Sequence, residues 1–222
     1  MPTFSVRRPG LLLTCCLLAA VAGCGGPDEG VSGEEGSGEA ASTQRHEGAA
    51  NATGLSPEQE VFWERIEGLC GGAFVGTPVE APDDSDWWEA QLVMHVRSCE
   101  PEEIRIPLHV NDDRSRTWVI SRTEAGLRLK HDHRLRDGTP DASNTDYGGD
   151  TTAAGTDRRQ EFPADSYSIG VNPARESQFW FLEIHPEEAF VYGLLREATG
   201  LSYRVEFDLT QPVEPPPAPW GF

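Results

Sequence analysis

The feature that most constrains the fold is an alternation of apolar and polar residues with a period of two. Within 104–110, Ile104, Ile106 and Leu108 occupy every second position. Successive side chains of a β-strand point to opposite faces, so this pattern predicts strands with one buried face. Short strands at close spacing are typical of an antiparallel sandwich or barrel. About nine candidate strands follow: 72–79, 90–98, 104–110, 116–122, 127–133, 167–171, 178–185, 188–195 and 203–209.

A helix is predicted before the first strand. Ser56 is a suitable N-cap, Gln59 lies three residues later as in a capping box, and Pro57 suits the first helical position. An apolar stripe with helical spacing then begins, and a glycine pair ends it. The stripe consists of Phe62, Ile66 and Leu69, and the glycine pair is Gly71 with Gly72.

One N-terminal helix that closes an up-and-down barrel is the layout of the calycins, and the predicted elements resemble it. We therefore expect a mainly-β fold over 56–222, an antiparallel, calycin-like β-barrel of about nine short strands with one N-terminal helix. A chain of 222 residues has room for one such domain. The segment 188–195 also fits a helical stripe. The likeness concerns architecture and implies no function.

Residues 1–23 have the character of a lipoprotein signal peptide. A segment with two arginines precedes an apolar run that is too short to span a bilayer. The run ends in the residues VAGC at 21–24, which resemble the lipobox of bacterial lipoproteins. The resemblance implies anchoring to the lipid bilayer through an acylated Cys24, and Gly25 in place of aspartate favours the outer membrane, on its periplasmic or surface side. The alternative is an ordinary secretory signal.

The acylated cysteine and an acidic, glycine-rich tether occupy 24–55. Residues 25–55 contain eight glycines, six acidic residues and no aromatic residue. Such a composition cannot bury enough apolar surface to offset the entropy of ordering. The whole chain has 18 Lys and Arg against 37 Asp and Glu, a formal charge of −19. A nucleic-acid partner is not expected, because phosphate binding needs a basic surface.

Two cysteines lie in the predicted domain, Cys70 and Cys99. If 72–79 and 90–98 form a hairpin whose residues pair symmetrically about the middle of the connecting loop, Cys70 lies directly opposite Cys99. Exported proteins fold in an oxidising compartment, so we expect a disulfide between them. The alternative is a pair of buried free thiols.

The segment 135–161 interrupts the strand pattern with five aspartates and four glycines. So long an irregular segment in a compact domain is usually functional or disordered. Calcium binding is conceivable, but the spacing is not that of an EF-hand loop, and we expect an ordered cover across one end of the barrel. The C-terminal residues 212–219 predict a polyproline-like tail that Trp220 fixes to the domain.

The best candidate site is His131 with His133. On a strand both point to the face that Leu127 and Leu129 define, so both should be buried near a carboxylate or a ligand. Three roles stay open: contact with a small ligand, two ligands of Zn²⁺ or another divalent metal, or structural hydrogen bonding. His95 and His109 fall on outward faces and are poor third ligands, whereas His185 could approach at a strand end.

A second candidate is the charged turn that contains Arg114 and Arg116. Aspartates in a turn accept its N–H groups and pair with arginines, so a structural turn is the default interpretation. The functional alternative is that Arg114 and Arg116 bind an anionic ligand.

A set of motifs runs from Phe62 to Trp220. They are LCGGAFVG at 69–76, LVMHVRSCE at 92–100, DDRSRTWVI at 112–120, GLRLKHDHR at 126–134, YGGDT at 147–151, FPAD at 162–165 and APWG at 218–221. Through them the chain resembles a group of uncharacterised bacterial secreted proteins and lipoproteins. That family has no assigned activity, so the resemblance implies one defined domain and no mechanism.

The sequence therefore favours a membrane-anchored lipoprotein whose exported barrel binds a small ligand, without a required cofactor. One alternative is a metal-dependent enzyme that uses His131 and His133. Another is a structural or surface-interaction lipoprotein. Signatures of serine hydrolases, zinc proteases, P-loop proteins and dinucleotide-binding proteins are absent from the sequence.

Overall fold

The computed structural model describes residues 54–222. Its first element is helix α1, Pro57–Glu67. The predicted capping box is present, because the Ser56 hydroxyl accepts from the Gln59 N–H at 3.3 Å and the Gln59 side chain accepts from the Ser56 N–H at 3.1 Å. The helix ends at Gly68, before the predicted glycine pair. Leu55, assigned to the tether above, is buried in the core.

Eleven β-strands follow among these residues, two more than the nine predicted. They pair antiparallel throughout, and the fold class is a mainly-β barrel as expected. The strands are β1 (Ala73–Glu80), β2 (Leu92–His95), β3 (Ser98–Glu100), β4 (Glu103–Val110), β5 (Asp113–Thr123), β6 (Gly126–His133), β7 (Tyr147–Asp150), β8 (Arg159–Pro163), β9 (Gln178–His185), β10 (Ala189–Arg196) and β11 (Leu201–Val213).

The strands form one sheet in the order β7-β6-β5-β4-β2-β1-β11-β10-β9-β8, with β3 paired to β4 at the side. The two ends of this order approach each other and nearly close the barrel. The Asp165 N–H, just beyond β8, donates to the Gly148 carbonyl of β7 at 2.9 Å. Gly149 is needed at this seam, since a Cβ there would overlap the carbonyl oxygen of Pro163.

Helix α1 covers one end of the barrel with the fully buried side chains of Phe62, Trp63 and Ile66. Gln59 donates to the Thr151 hydroxyl at 2.9 Å, and that hydroxyl accepts from the Leu127 N–H at 3.1 Å. The helix thus lies at the end where β6 begins. Six residues along β6 span about 20 Å, so His133 lies at the opposite end. We call that end the mouth.

The Cys70–Cys99 disulfide is present, with a Cα–Cα distance of 6.3 Å. Its setting differs from the predicted hairpin. Cys70 lies in the turn after α1, and Cys99 lies in β3. The register of β1 and β2 also differs from the predicted register by one residue. A hairpin with Cys70 opposite Cys99 would pair Ala73 with Val96, whereas Ala73 pairs with His95.

Two predicted segments have a different structure. Residues 167–171 form most of helix α2, Ser166–Val171, and not a strand, because the Asp165 carboxylate accepts from the Ser168 N–H at 2.8 Å and caps a helical turn. The segment 135–161 contributes β7 and the start of β8 to the barrel wall, so only part of it covers the mouth. The ambiguous segment 188–195 is a strand.

The C-terminal tail crosses the outer face of β2, β4 and β5. The Trp220 N–H donates to the Arg114 carbonyl at 3.1 Å, which fixes the tail as expected. His95 and His109 do face outward, but they are buried, because the tail residues lie against this face. No helix within 54–222 has the length and apolar character to cross a membrane. The predicted signal peptide 1–23, the predicted acylation site Cys24 and almost all of the predicted tether lie outside the described residues.

Candidate functional site

His131 and His133 point into the barrel, as their strand face predicts. They are 3% and 8% exposed. His131 Nδ1 lies 3.1 Å from the Tyr147 carbonyl oxygen, and Nε2 lies 2.9 Å from the Tyr192 hydroxyl. The carbonyl can only accept, so Nδ1 carries the hydrogen and Nε2 accepts from Tyr192. The partners are therefore a carbonyl and a tyrosine, and not the expected carboxylate.

His133 also has a partner at each ring nitrogen, nearer the mouth. Its Nδ1 accepts from the Asn144 amide at 3.4 Å, and its Nε2 lies 3.0 Å from the Tyr147 hydroxyl. The Thr145 hydroxyl accepts from the His133 N–H at 3.0 Å. Residues from the 135–161 segment thus hold this imidazole in place, which agrees with the expected cover.

Burial sets the protonation of this cluster. It lowers the pKa of His131 to about 3, with a smaller contribution from neighbouring His133. Burial and the nearby Arg116 guanidinium lower the pKa of His133 to about 4. Burial also raises the pKa of Tyr147 to about 12 and the pKa of Tyr192 well above its usual value. At neutral pH all four rings are therefore uncharged hydrogen-bonding groups.

The arrangement favours structural hydrogen bonding of the histidines over metal coordination. Both ring nitrogens of His131 already have protein partners. Within residues 54–222, no three His, Cys, Asp or Glu side chains form a group that could hold a metal ion. His95 and His109 lie on the outer face, and His185 Nε2 is 3.5 Å from Glu183 Oε2.

The charged turn makes the internal contacts that the structural interpretation predicts. Arg116 Nη1 donates to the Asp113 carboxylate at 2.6 Å, and the Ser115 N–H donates to the same carboxylate at 2.9 Å. Arg114 donates to the Ala218 carbonyl at 3.4 Å and so holds the tail. Arg116 pairs in register with His133, which brings its charge close to the site. The structure thus separates the two arginines, and only Arg116 is near the histidines.

A cavity of about 200 Å³ opens at the mouth beside the histidines. Strands β9 and β10 supply most of its wall from alternate positions, with Leu194 opposite Trp180 and Arg196 opposite Gln178. Its walls combine aromatic rings with two arginines. The lining residues are Trp87, Tyr147, Arg175, Gln178, Trp180, Tyr192, Leu194, Arg196 and Tyr203.

Two hydrogen-bond donors in this lining have no partner. Among the described residues, six buried side-chain polar atoms make no hydrogen bond, and Trp180 Nε1 and Arg175 Nη1 are two of them. Trp180 has no exposed surface at all. A buried donor without a partner costs about 1–3 kcal/mol, so native proteins rarely keep one without a reason. Both atoms belong to residues that line one small cavity, which makes this cavity the candidate place for an acceptor.

Arg175 illustrates how the cavity is built. It ends a short 3-10 turn, Pro173–Arg175, and its guanidinium carbon lies 4.0 Å from the centre of the Tyr147 ring. Its other terminal nitrogen reaches the Asn144 amide oxygen at 3.5 Å. Burial lowers the pKa of Arg175, with a contribution from the charge of Arg196. The guanidinium is thus held against an aromatic face with one nitrogen unused.

Sequence reasoning did not select Arg175, Trp180 or Arg196. Trp180 lies on the predicted strand 178–185 and Arg196 directly follows the predicted strand 188–195, so a core or surface role is the ordinary expectation for both. Arg175 follows a segment predicted as a strand. Only the pairing of β9 with β10 and the turn after α2 bring them together. The prediction of 178–185 and 188–195 as strands was the one available signal, and it includes Trp180 but neither arginine.

Two larger grooves lie outside the barrel, between its wall and the C-terminal tail. One, of about 680 Å³, is lined by His109, Asp112 and Glu214 among others. The other, of about 710 Å³, includes Glu100 and Glu103. His109 Nε2 is a third buried atom without a partner. Both grooves have carboxylates in their lining, whereas the cavity at the mouth has none.

Comparisons with protein-family models, with curated proteins and with solved structures find no match to this chain. The resemblance to uncharacterised bacterial secreted proteins and lipoproteins stays a prediction. The function must therefore be argued from the geometry of the site itself.

Proposed function

We propose that this chain is a membrane-anchored bacterial envelope lipoprotein whose barrel binds a small ligand in the cavity at its mouth. The anchor is the acylated Cys24, in contact with the outer-membrane bilayer, and the tether holds the barrel away from it. The observation that carries the binding role is the pair of unpartnered donors, Trp180 Nε1 and Arg175 Nη1, in one lining. A ligand with acceptor atoms satisfies both.

The size of the cavity suits a small ligand. An apolar cavity of about 150 Å³ is known to accept benzene, and this one measures about 200 Å³. Ligand sites in proteins typically combine apolar and aromatic walls with a few placed polar groups. The mouth of this barrel has that character, with Trp87, Trp180 and Tyr203 beside Gln178 and two arginines.

The two alternative functions have less support. A metal-dependent enzyme at His131 and His133 requires the loss of hydrogen bonds that both imidazoles make in the folded protein. A purely structural lipoprotein leaves the two unpartnered donors at Arg175 and Trp180 without a role. Ligand binding accounts for both observations.

An NMR titration tests the proposal. The indole N–H signal of Trp180 is followed while benzamide, benzoate or benzylamine is added to the purified protein. We expect at least one probe to shift this signal saturably. Leu194→Trp, which fills the cavity, should abolish the shift, whereas Val61→Trp should not, because Val61 lies on the exposed side of α1 at the other end. If none of the three probes shifts the signal, the binding role is wrong.

A further inference from the structure

The charge of the mouth cavity is opposite to that of the chain. The protein carries a formal charge of −19, with twice as many acidic as basic residues. The cavity lining nevertheless contains Arg175 and Arg196 and no aspartate or glutamate. The grooves along the tail, by contrast, contain carboxylates. This local inversion of charge points to an anionic ligand.

Neither arginine of the cavity is neutralised by the described residues. Arg196 donates to the neutral Gln178 amide oxygen, at 3.1 and 2.7 Å from its Nε and Nη2 atoms. Arg175 contacts the Asn144 amide oxygen and the Tyr147 ring, and its Nη1 atom has no partner. A partly buried guanidinium without a counter-charge is costly. An anion bound between the two arginines would compensate both charges.

The remaining walls suit a flat apolar body. Trp87 and Tyr203 pack edge to face with ring centres 5.3 Å apart, and Tyr147 and Trp180 lie 5.6 Å apart. The Trp180 indole adds a further N–H donor. At about 200 Å³ the cavity has room for one ring with a small substituent. A carboxylate has two oxygens and can accept charge-assisted hydrogen bonds from both guanidinium groups at once, which favours this anion.

We propose that the mouth cavity selects a small carboxylate with a single planar ring, the carboxylate lying at Arg175 and Arg196 and the ring against the aromatic walls. This inference rests on the proposed ligand-binding function and specifies its ligand class. It goes beyond the binding role, because a neutral ligand of the same shape would also fill the cavity.

The test compares probes of nearly equal shape but different charge. Benzoate, benzamide and benzylamine are titrated into the purified protein, and affinities are read from the Trp180 indole N–H signal. A charge-assisted hydrogen bond is stronger than a neutral one, so benzoate should bind about ten to a hundred times more tightly than benzamide. Benzylamine should bind more weakly than benzamide, because its ammonium group meets two guanidinium groups.

Variants then locate the selectivity. Arg175→Gln should bring the ratio of benzoate to benzamide affinity down by about tenfold, and Arg196→Gln provides a second variant if the first does not fold. Arg158→Gln is the matched control, because Arg158 is exposed and follows Asp157, which pairs with Arg65 of α1 at the other end of the barrel. It should leave the ratio within about twofold, as expected for screened surface charges.

The outcomes separate this inference from the function on which it rests. If benzamide and benzoate bind equally well in the cavity, the ligand-binding role stands and the carboxylate class is overturned. If Arg158→Gln lowers the ratio as much as Arg175→Gln, the preference reflects overall charge and the assignment to these arginines is wrong. If no probe shifts the Trp180 signal, the proposed function itself fails.

Discussion

Acidification should destabilise this barrel through two internal histidines. Both His131 and His133 must be neutral in the folded protein, and both accept a proton freely in the unfolded chain, where their pKa is close to 6.5. A group whose folded pKa is lowered in this way binds more protons when unfolded. The free energy of unfolding therefore has its full value above pH 6.5. It falls as the pH is lowered towards the pKa values of the folded state, about 4 for His133 and about 3 for His131.

The size of the effect follows from the two shifts. One pH unit between the folded and unfolded titrations corresponds to about 1.4 kcal/mol. At pH 5, which is 1.5 pH units below 6.5, proton binding by each histidine of the unfolded chain has lowered the free energy of unfolding by about 2 kcal/mol. The pair thus removes about 4 kcal/mol, a large part of the 5–15 kcal/mol typical of a small domain. His95 and His109, whose pKa values burial also lowers, add in the same direction.

Urea unfolding at pH 7.5 and pH 5, followed by tryptophan fluorescence, measures this loss. Gln at position 131 does not titrate, so His131→Gln should reduce the loss between the two pH values by about 2 kcal/mol, as should His133→Gln. His185→Gln is the control, because its side chain is 38% exposed and makes no contact in the cluster. If wild type and the double variant lose the same free energy between the two pH values, the two imidazoles are not held neutral inside the barrel.

Three further predictions concern the covalent and steric features of the chain. Replacing Cys70 and Cys99 by serine should lower the free energy of unfolding by roughly 3–4 kcal/mol in urea titrations, since the disulfide closes a loop across 29 positions. Gly149→Ala should destabilise by about 1–3 kcal/mol, because the added Cβ meets the Pro163 carbonyl at the barrel seam, whereas Gly170→Ala, with open space around it, should be neutral or stabilising when melting temperatures are compared. Cys24→Ala should leave an unacylated precursor or a soluble species, and membrane partition equal to that of the wild type would contradict the lipobox interpretation.

Much of the barrel could be predicted because its physical cause is local. Alternation along 104–110 and 127–133 identifies the buried face of each strand without knowledge of its neighbours, and β4 and β6 confirm both segments. The capping box of α1 is equally local. The same reasoning correctly placed His131 and His133 inside the barrel.

Elements that depend on distant contacts could not be predicted in this way. Tyr147–Asp150 carries two glycines and has no alternation, yet it is strand β7, because Gly148 and Gly149 let the backbone approach Leu129 and Pro163 closely. Helix α2 is too short for periodicity to identify and depends on the Asp165 cap. Arg175 enters the cavity only through the turn that follows α2.

The histidines found from the sequence and the arginines found from the structure belong to one arrangement. Tyr192 donates to His131 and Tyr147 contacts His133, and both tyrosines line the cavity. The imidazoles therefore hold the phenol rings that form the wall against which Arg175 packs. Protonation of His131 would remove the acceptor for the Tyr192 hydroxyl. The histidine cluster and the mouth cavity therefore share a wall. Under the proposed function, the histidines would position the walls of the cavity without contact to the ligand.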